Sequence, residues 1–401
     1  MANQNPQSGP PRAGIRLEAI RQRRKRRRIQ LGAALTVILA AALFYMTGLY
    51  GASIALLGDT MDTVSIALRP GPGWPQKTSM ADVSQAEPLT GGFLVLGDTD
   101  LAVYSSQGNQ LRRIQHGYAR PAVSASGTRF CLYARTGTEL RVESRTRTLY
   151  TQTFEQPILA ASMAKDHTVG VLTRSARYTG ELIVYNDQFS EVFHWYATES
   201  DGTPYLLDFS SNSSLAAVGC LAPTGGVMGM NVVILDTSRS SPLATVSLAG
   251  CRGYQLRWLT RDTFAVITDS FCAVFNQKGE EQARYSYAGR TLAGADVEGS
   301  NLALLFADDR LVLLNQKMTV LADTAVSDAV SVVMGRKTAY CLTDQSVQAF
   351  SLEGEDKGSA LFEQQPLTVV EAGKTMVLYG NEADQLRLVL PEETPSSSSG
   401  E

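Results

Sequence analysis

Histidine is scarce here, with three in 401 residues. His116, His167 and His194 lie far apart, and no His-x-x-x-His or Cys-x-x-Cys spacing occurs. A zinc site needs three or four convergent ligands, so each histidine reads as a turn or strand residue rather than a metal ligand. Five cysteines are too few for a disulfide scaffold, and the odd number leaves at least one thiol unpaired. Long apolar runs are missing with one exception, and the mean hydropathy of −0.07 excludes a polytopic membrane protein. Glycine (34) and proline (15) follow no short period, which excludes a collagen-like chain. The apolar share of 44% excludes a chain disordered throughout.

The exception is Ile29–Tyr50, an uncharged run with Tyr45 and Tyr50 near its far end. At about 1.5 Å per residue a helix of this length spans a hydrocarbon core of about 30 Å. A basic block, Arg21, Arg23, Arg24, Lys25, Arg26, Arg27 and Arg28, abuts its start. Excess Lys and Arg marks the cytoplasmic flank, so the N-terminus is expected inside and the chain after Tyr50 outside the cytoplasm. A cleaved signal peptide is the rival reading, with Ala52-Ser53-Ile54-Ala55 as a weak cleavage site, but its apolar core should be shorter. Phosphate binding by the arginines is the other rival; beside a span the block reads as a topology determinant touching anionic lipid heads, with no nucleic acid partner. Residues 1–28 hold nine bases and one acid, a charge of +8, and the rest holds 27 bases and 38 acids, a charge of −11.

Beyond the span a short element recurs: a few apolar residues, often ending in Tyr or Phe, then a polar turn. Examples are Leu101–Gly108 (LAVYSSQG), Leu182–Gln188 (LIVYNDQ) and Cys272–Gly279 (CAVFNQKG). Aligned on Val103, Val142, Val184, Ile234, Val274, Leu313, Ala349 and Leu388, the units repeat about every 40 residues, the mark of a propeller of four-stranded blades. In the second unit Ala122–Gly127, Arg129–Gly137, Leu140–Thr146 and Thr148–Phe154 read as four successive strands. The expected fold is all-β, a seven- or eight-bladed propeller with eight preferred, preceded by one transmembrane helix. The last unit, Pro366–Pro391, lacks room for a fourth strand. Asp62–Leu68, with alternating Val64, Ile66 and Leu68, is a candidate to supply it and close the ring. The domain reading is a cytoplasmic tail (1–28), a span (29–50), a linker with the possible closing strand (51–87), the propeller (88–391) and a disordered tail (392–401).

The repeat resembles the broad WD40-like and quinoprotein-like propeller group, although no Gly-His or Trp-Asp dipeptide marks its units. The whole layout of arginine block, single span and divergent propeller, over about residues 15–391, resembles the bacterial domain-of-unknown-function family numbered 5711. The resemblance implies a membrane-anchored surface protein and transfers no catalytic residue.

Sequence motifs for chemistry are weak. Ser162–Lys165 matches S-x-x-K, but it falls at a turn and lacks a Lys-Thr-Gly partner. Gly373-Lys374-Thr375 imitates the end of a phosphate loop, but Thr368 stands where the first glycine belongs. Cys131, Cys220 and Cys341 occupy equivalent second strands and read as small buried hydrophobes; Cys220–Cys251 or Cys251–Cys272 is the disulfide alternative. The acidic turns Asp98–Asp100 and Asp308-Asp309 lack the spacing of a calcium loop. Trp195, Tyr196, Tyr254 and Trp258 either line a face that binds sugar or peptide or pack between blades.

No cofactor, metal or catalytic residue is assigned on these grounds. The expected role is a non-catalytic binding or scaffold module at the cell envelope, with the bilayer and a protein or envelope component as partners. The candidate contact loop is Ala222, Gly225, Gly226, Met228 and Met230, in an insertion of the fourth unit. The alternative is a propeller enzyme, a hydrolase, lyase or quinone-dependent dehydrogenase, with chemistry in the central channel. That alternative requires clustered His, Arg or carboxylates at the inner strand ends, and the scarcity of histidine and the lack of a polar residue repeated at matching blade positions argue against it.

Overall fold

A computed structural model describes residues 49–78, 80, 82–362 and 367–390. The chain divides into two units, residues 1–58 and 59–401. Of the first, only helical residues 49–58 are described, so the arginine block and nearly all of the Ile29–Tyr50 run lie outside the described residues. Among the described residues no helix is long and apolar enough to cross a membrane.

The second unit is an eight-bladed β-propeller: eight antiparallel four-stranded sheets. Each blade is a meander whose inner strand lines the central axis, and inner strands of consecutive blades pack side by side. The second and third strands of most blades are largely apolar because neighbouring blades cover both their faces. Phe93–Leu96 and Leu101–Tyr104 are buried without a break, whereas the outer strand Gln110–Gln115 buries only Ile114. The apolar runs that end in Tyr or Phe are these third strands, and seven of the eight anchors fall in them. Leu388 is the exception, since the third strand of the last blade is Glu382–Gln385.

The core is distributed rather than central. Eight apolar clusters each fill the seam between two blades, from Phe130, Leu132 and Leu101 between blades one and two to Tyr379, Val377 and Phe93 between eight and one. A buried side chain of this size contributes about 1.5–3 kcal/mol, and no blade buries both faces without neighbours. Among the described residues the seam between blades seven and eight holds the fewest buried residues: Leu342, Val347, Val369 and Leu378.

Closure comes from the N-terminal side, but not from the segment expected. Gln76–Lys77 pairs antiparallel with Glu382-Ala383 and becomes the outer strand of blade eight. Asp62–Leu68 is not a strand; it is the end of a helix, Leu49–Leu68. Its short apolar alternation also satisfies a helical period: Asp59, Thr63 and Ile66 face the propeller, and Thr63 Oγ1 donates to the Asp59 carbonyl at 2.7 Å. Arg69-Pro70 ends the helix, because the residue before proline is pushed out of the helical region.

The turns that join inner to second strands and third to outer strands open on one face of the ring. The helix residues from Asp59 onward are bound there. Arg129 Nε and Nη2 both reach Asp59 Oδ2 at 2.9 Å. Arg145 Nη2 donates to Thr63 Oγ1 at 2.6 Å and Nη1 to the Thr90 carbonyl at 2.5 Å, while Thr146 Oγ1 donates to Asp62 Oδ2 at 2.9 Å. We call this the helix face and its opposite the hairpin face.

Candidate functional site

The inner strands carry a pattern that periodicity does not reveal. Glu87, Ser124, Asp208, Arg257 and Asp296 each pair with the third residue of the strand that follows, namely Leu94, Cys131, Ala217, Ala265 and Ala303. A polar side chain therefore recurs at a matched ladder position in five blades, joined in the third blade by Ser162 opposite Gly170. The seventh and eighth blades place Val333 and Val370 opposite the third residues Tyr340 and Val377. This corrects the expectation that no polar residue recurs at equivalent blade positions. The signal was present as a polar residue set among the apolar residues of these inner strands. It was hidden because the residue types differ: acid, hydroxyl and base occupy one structural position.

These side chains line a central channel of about 840 Å³. Several of them stitch adjacent blades. Gln85 Oε1 accepts the Val123 N–H at 2.9 Å, Ser124 Oγ the Met163 N–H at 3.0 Å, Asp208 Oδ2 the Trp258 N–H at 2.7 Å and Asp296 Oδ2 the Met334 N–H at 2.8 Å. Gln255 Nε2 donates to the Ala295 carbonyl at 3.0 Å. Each bond crosses from one inner strand to the next and satisfies backbone that a radial arrangement leaves unpaired. Bonds to a charged acceptor contribute about 1.5–3 kcal/mol.

Glu87 and Arg257 differ from this set. Neither makes a hydrogen bond or an ion pair among the described residues. The Arg257 side chain is exposed toward the channel that the ring encloses. Burial pushes the Glu87 carboxyl up to about 7; Arg257 pulls it down, and Asp296 pushes it further up. Burial also raises Asp208 and Asp296 against the pull of Arg257 and of their backbone donors. For Arg257, burial opposes the charge, but Asp208, Glu87 and Asp296 together outweigh it and raise its pKa. Toward the helix face, burial raises Glu298, helped by Glu371 and Asp296 and opposed by Arg336 and Lys165. The middle of the channel thus sets Arg257 among the carboxyls of Glu87, Asp208 and Asp296, with Arg135, Lys165 and Arg252 also on its wall.

The fourth-blade insertion is an extension of two strands rather than a loop. Leu215–Thr224 and Val227–Asp236 pair along ten positions, and Gly225-Gly226 turns between them with φ of 63° and 84°. Both central residues adopt the left-handed region, as a type I′ hairpin turn demands. Ala222 and Met230 are buried in the hairpin's base, whereas Val227 and Met228 stand exposed at its tip. Of the five candidate contact residues, Gly225, Gly226 and Met228 are thus at the tip and two are packing residues.

The weaker motifs resolve as structural parts. Ser162 is the penultimate residue of an inner strand and Lys165 lies in the turn after it, and Gly373 (φ 74°) makes the equivalent turn of blade eight. All five cysteines are buried and free, so neither disulfide alternative forms. Trp195 is buried in a seam, Trp258 donates Nε1–H to the Asp208 carbonyl at 3.2 Å, and Tyr196 stacks on His194 at the exposed edge of blade three. The four aromatic residues share no face. Among the described residues no three His, Cys, Asp or Glu side chains converge as a metal site.

Eight radial blades around a polar channel define a β-propeller of the kind found in WD40-like proteins. The chain belongs to DUF5711, a family of unknown function, over residues 74–388. Its fold is similar to that of BamB from Moraxella catarrhalis, at 14% identity and a TM-score of 0.53 over 78% of this chain and 100% of that one. It is also similar to the C-terminal WD40 domain of Sif2, at 13% identity and 0.57 over 80% and 99%. The computationally designed Ika8 protein matches at 10% and 0.58 over 79% and 98%. At such identities the likeness is one of fold alone. Among curated proteins none matches the sequence.

Proposed function

We propose that this protein is a single-pass, membrane-anchored propeller standing outside the cytoplasm, a binding or scaffold module at the cell envelope. The observation that carries the binding role is the fourth-blade hairpin. It projects an apolar tip, with Met228 61% exposed, from a rigid ring whose other strands are shorter. An exposed apolar tip on a rigid scaffold suits a contact with another protein. The propeller's acidic balance favours a basic partner. The anchoring rests on the basic block and the uncharged run of the sequence, and likeness in fold to BamB and to a WD40 domain supports the scaffold reading.

A photo-crosslinking side chain at Met228 in intact cells should give one discrete protein adduct. The same group at Gln188, on the helix face, should not. Equal labelling at both positions, or none at Met228, would remove the hairpin from the contact. Protease added to intact cells should degrade the propeller; full protection would place it inside and end the envelope reading.

A second reading, a channel that binds or transforms a small molecule, is favoured by Glu87 and Arg257. A carboxyl titrating near neutrality in one channel with a cation that acts on it suits general acid–base chemistry. Native mass spectrometry of the purified full chain tests it. A bound small molecule lost in both Glu87→Gln and Arg257→Ala supports the channel role, and an empty wild-type channel argues against it.

A further inference from the structure

The helix residues 59–68 are amphipathic in the inverse sense. Their inward side is polar, with Asp59, Asp62 and Thr63 bound to Arg129, Thr146 and Arg145, and only Ile66 adds an apolar contact. Their outward side is apolar: Met61, Val64 and Leu68 are 71%, 53% and 77% exposed. At 100° per residue these three fall within one narrow stripe, opposite the bound side. An apolar stripe turned away from the protein is the reverse of what water favours on a free helix, and it calls for a cover.

We infer that this stripe lies in the headgroup region of the bilayer that anchors the chain, so that the propeller meets the membrane with its helix face. The inference rests on the anchoring proposed above and adds an orientation to it. Two features favour lipid as the cover. The helix that carries the stripe begins at Leu49, where the uncharged run Ile29–Tyr50 ends, so the chain continues from one into the other. Cations also stand near the stripe. The helix's own acids are turned inward and paired, whereas exposed cations flank it: Arg69 at its end, Arg147 and Lys165 in adjoining turns, with Lys337 and Lys374 farther across the same face. Acidic residues share that face too, with Asp166 beside Lys165 and Asp187 beside Arg129 on the near blades and Asp262 and Glu280 on the far ones, so the attraction for anionic headgroups comes from the individual flanking cations. Apolar side chains lying at the acyl boundary with cations at headgroup level are how interfacial helices bind.

Depth-dependent quenching tests this on the full chain in phosphatidylcholine–phosphatidylglycerol vesicles. An environment-sensitive fluorophore is placed by Val64→Cys, Leu68→Cys, Met228→Cys or Ala41→Cys, and nitroxide lipids with shallow or deep labels act as quenchers. The native cysteines are buried and leave these positions selectively reactive. Shallow nitroxides should quench the probes at 64 and 68 severalfold more than the probe at 228, while deep nitroxides quench the probe at 41. If 64 and 68 behave like 228 while 41 is quenched, the chain is anchored but this contact is wrong. If 41 is also unquenched, the anchoring reading falls and the contact falls with it. Energy transfer between probes at 64 on separate copies, without lipid quenching, would show a second copy as the cover and overturn the inference.

Discussion

Arg129 holds Asp59 through two nitrogens on one carboxylate oxygen, Nε and Nη2 each 2.9 Å from Oδ2, with both side chains more than nine-tenths buried. The pair joins the turn between the first two strands of blade two to a helix seventy positions earlier in the chain. Its Nη1 also donates to the Asp187 carbonyl in blade three at 3.2 Å, so one guanidinium ties the helix to two blades.

Arg129→Ala should therefore destabilise the protein by about 3–5 kcal/mol, because it leaves a carboxylate buried without its counter-charge. Asp59→Asn keeps a hydrogen-bond acceptor and should cost less. Denaturant unfolding of the full chain in detergent measures both. A loss below about 1 kcal/mol for Arg129→Ala would mean that solvent screens the pair as it does at a surface.

Ring closure should depend on two residues of strand. A truncation that begins at Arg69 keeps Gln76–Lys77, and one that begins at Ser79 removes them. The second should lose several kcal/mol more than the first, since it strips a strand from a blade whose Val377 and Tyr379 are fully buried. Thermal melts followed by circular dichroism compare the two; equal midpoints would show that three strands suffice in blade eight.

Eight blades were legible because third strands are apolar on both faces and end in polar turns, a contrast that survives divergence. The closing strand was not. Gln76 and Lys77 carry no apolar signal, since the outer edge of a blade faces water and its pairing is made through the backbone. Asp62–Leu68 gave a better strand pattern and turned out helical, because a seven-residue run cannot separate a period of two from one of 3.6 when only three apolar residues sample it. The channel was missed for another reason. Glu87, Ser124, Asp208, Arg257 and Asp296 share a position but not a chemistry, and a search for a repeated residue type passes over them.

Glu87 links the channel to pH. Its folded pKa, about 7, stands above the ordinary carboxyl value of 4.5. Between those values the folded state holds a proton that the unfolded chain has released. Stability from this group is fully present below about pH 4.5 and is lost as pH rises through 7. Glu87→Gln should flatten that fall and should raise stability above pH 7 by about 1–3 kcal/mol. Unfolding midpoints of both proteins at pH 5 and pH 8 test the sign. An unchanged slope would assign the effect to other groups.

The cysteines should be silent. Burial pushes the thiols of Cys131, Cys272 and Cys341 up to about 12 and that of Cys251 to about 11, and it raises Cys220 as well. Since the thiolate is the reactive form, modification at pH 8 should be at least ~100-fold slower in the native protein than in denaturant. Fast labelling of any one cysteine would show that its seam opens readily.

The partnership of Gln76 with Ala383 sets the order of assembly. The strand that completes the eighth blade is the first of the propeller to leave the ribosome, and it must stay unpaired until the last blade has been made. No shortened product that ends before Glu382 can finish the circle, however well its early blades form. Closure of the ring thus waits on synthesis of the eighth blade, and a chain interrupted before it keeps an open sheet edge.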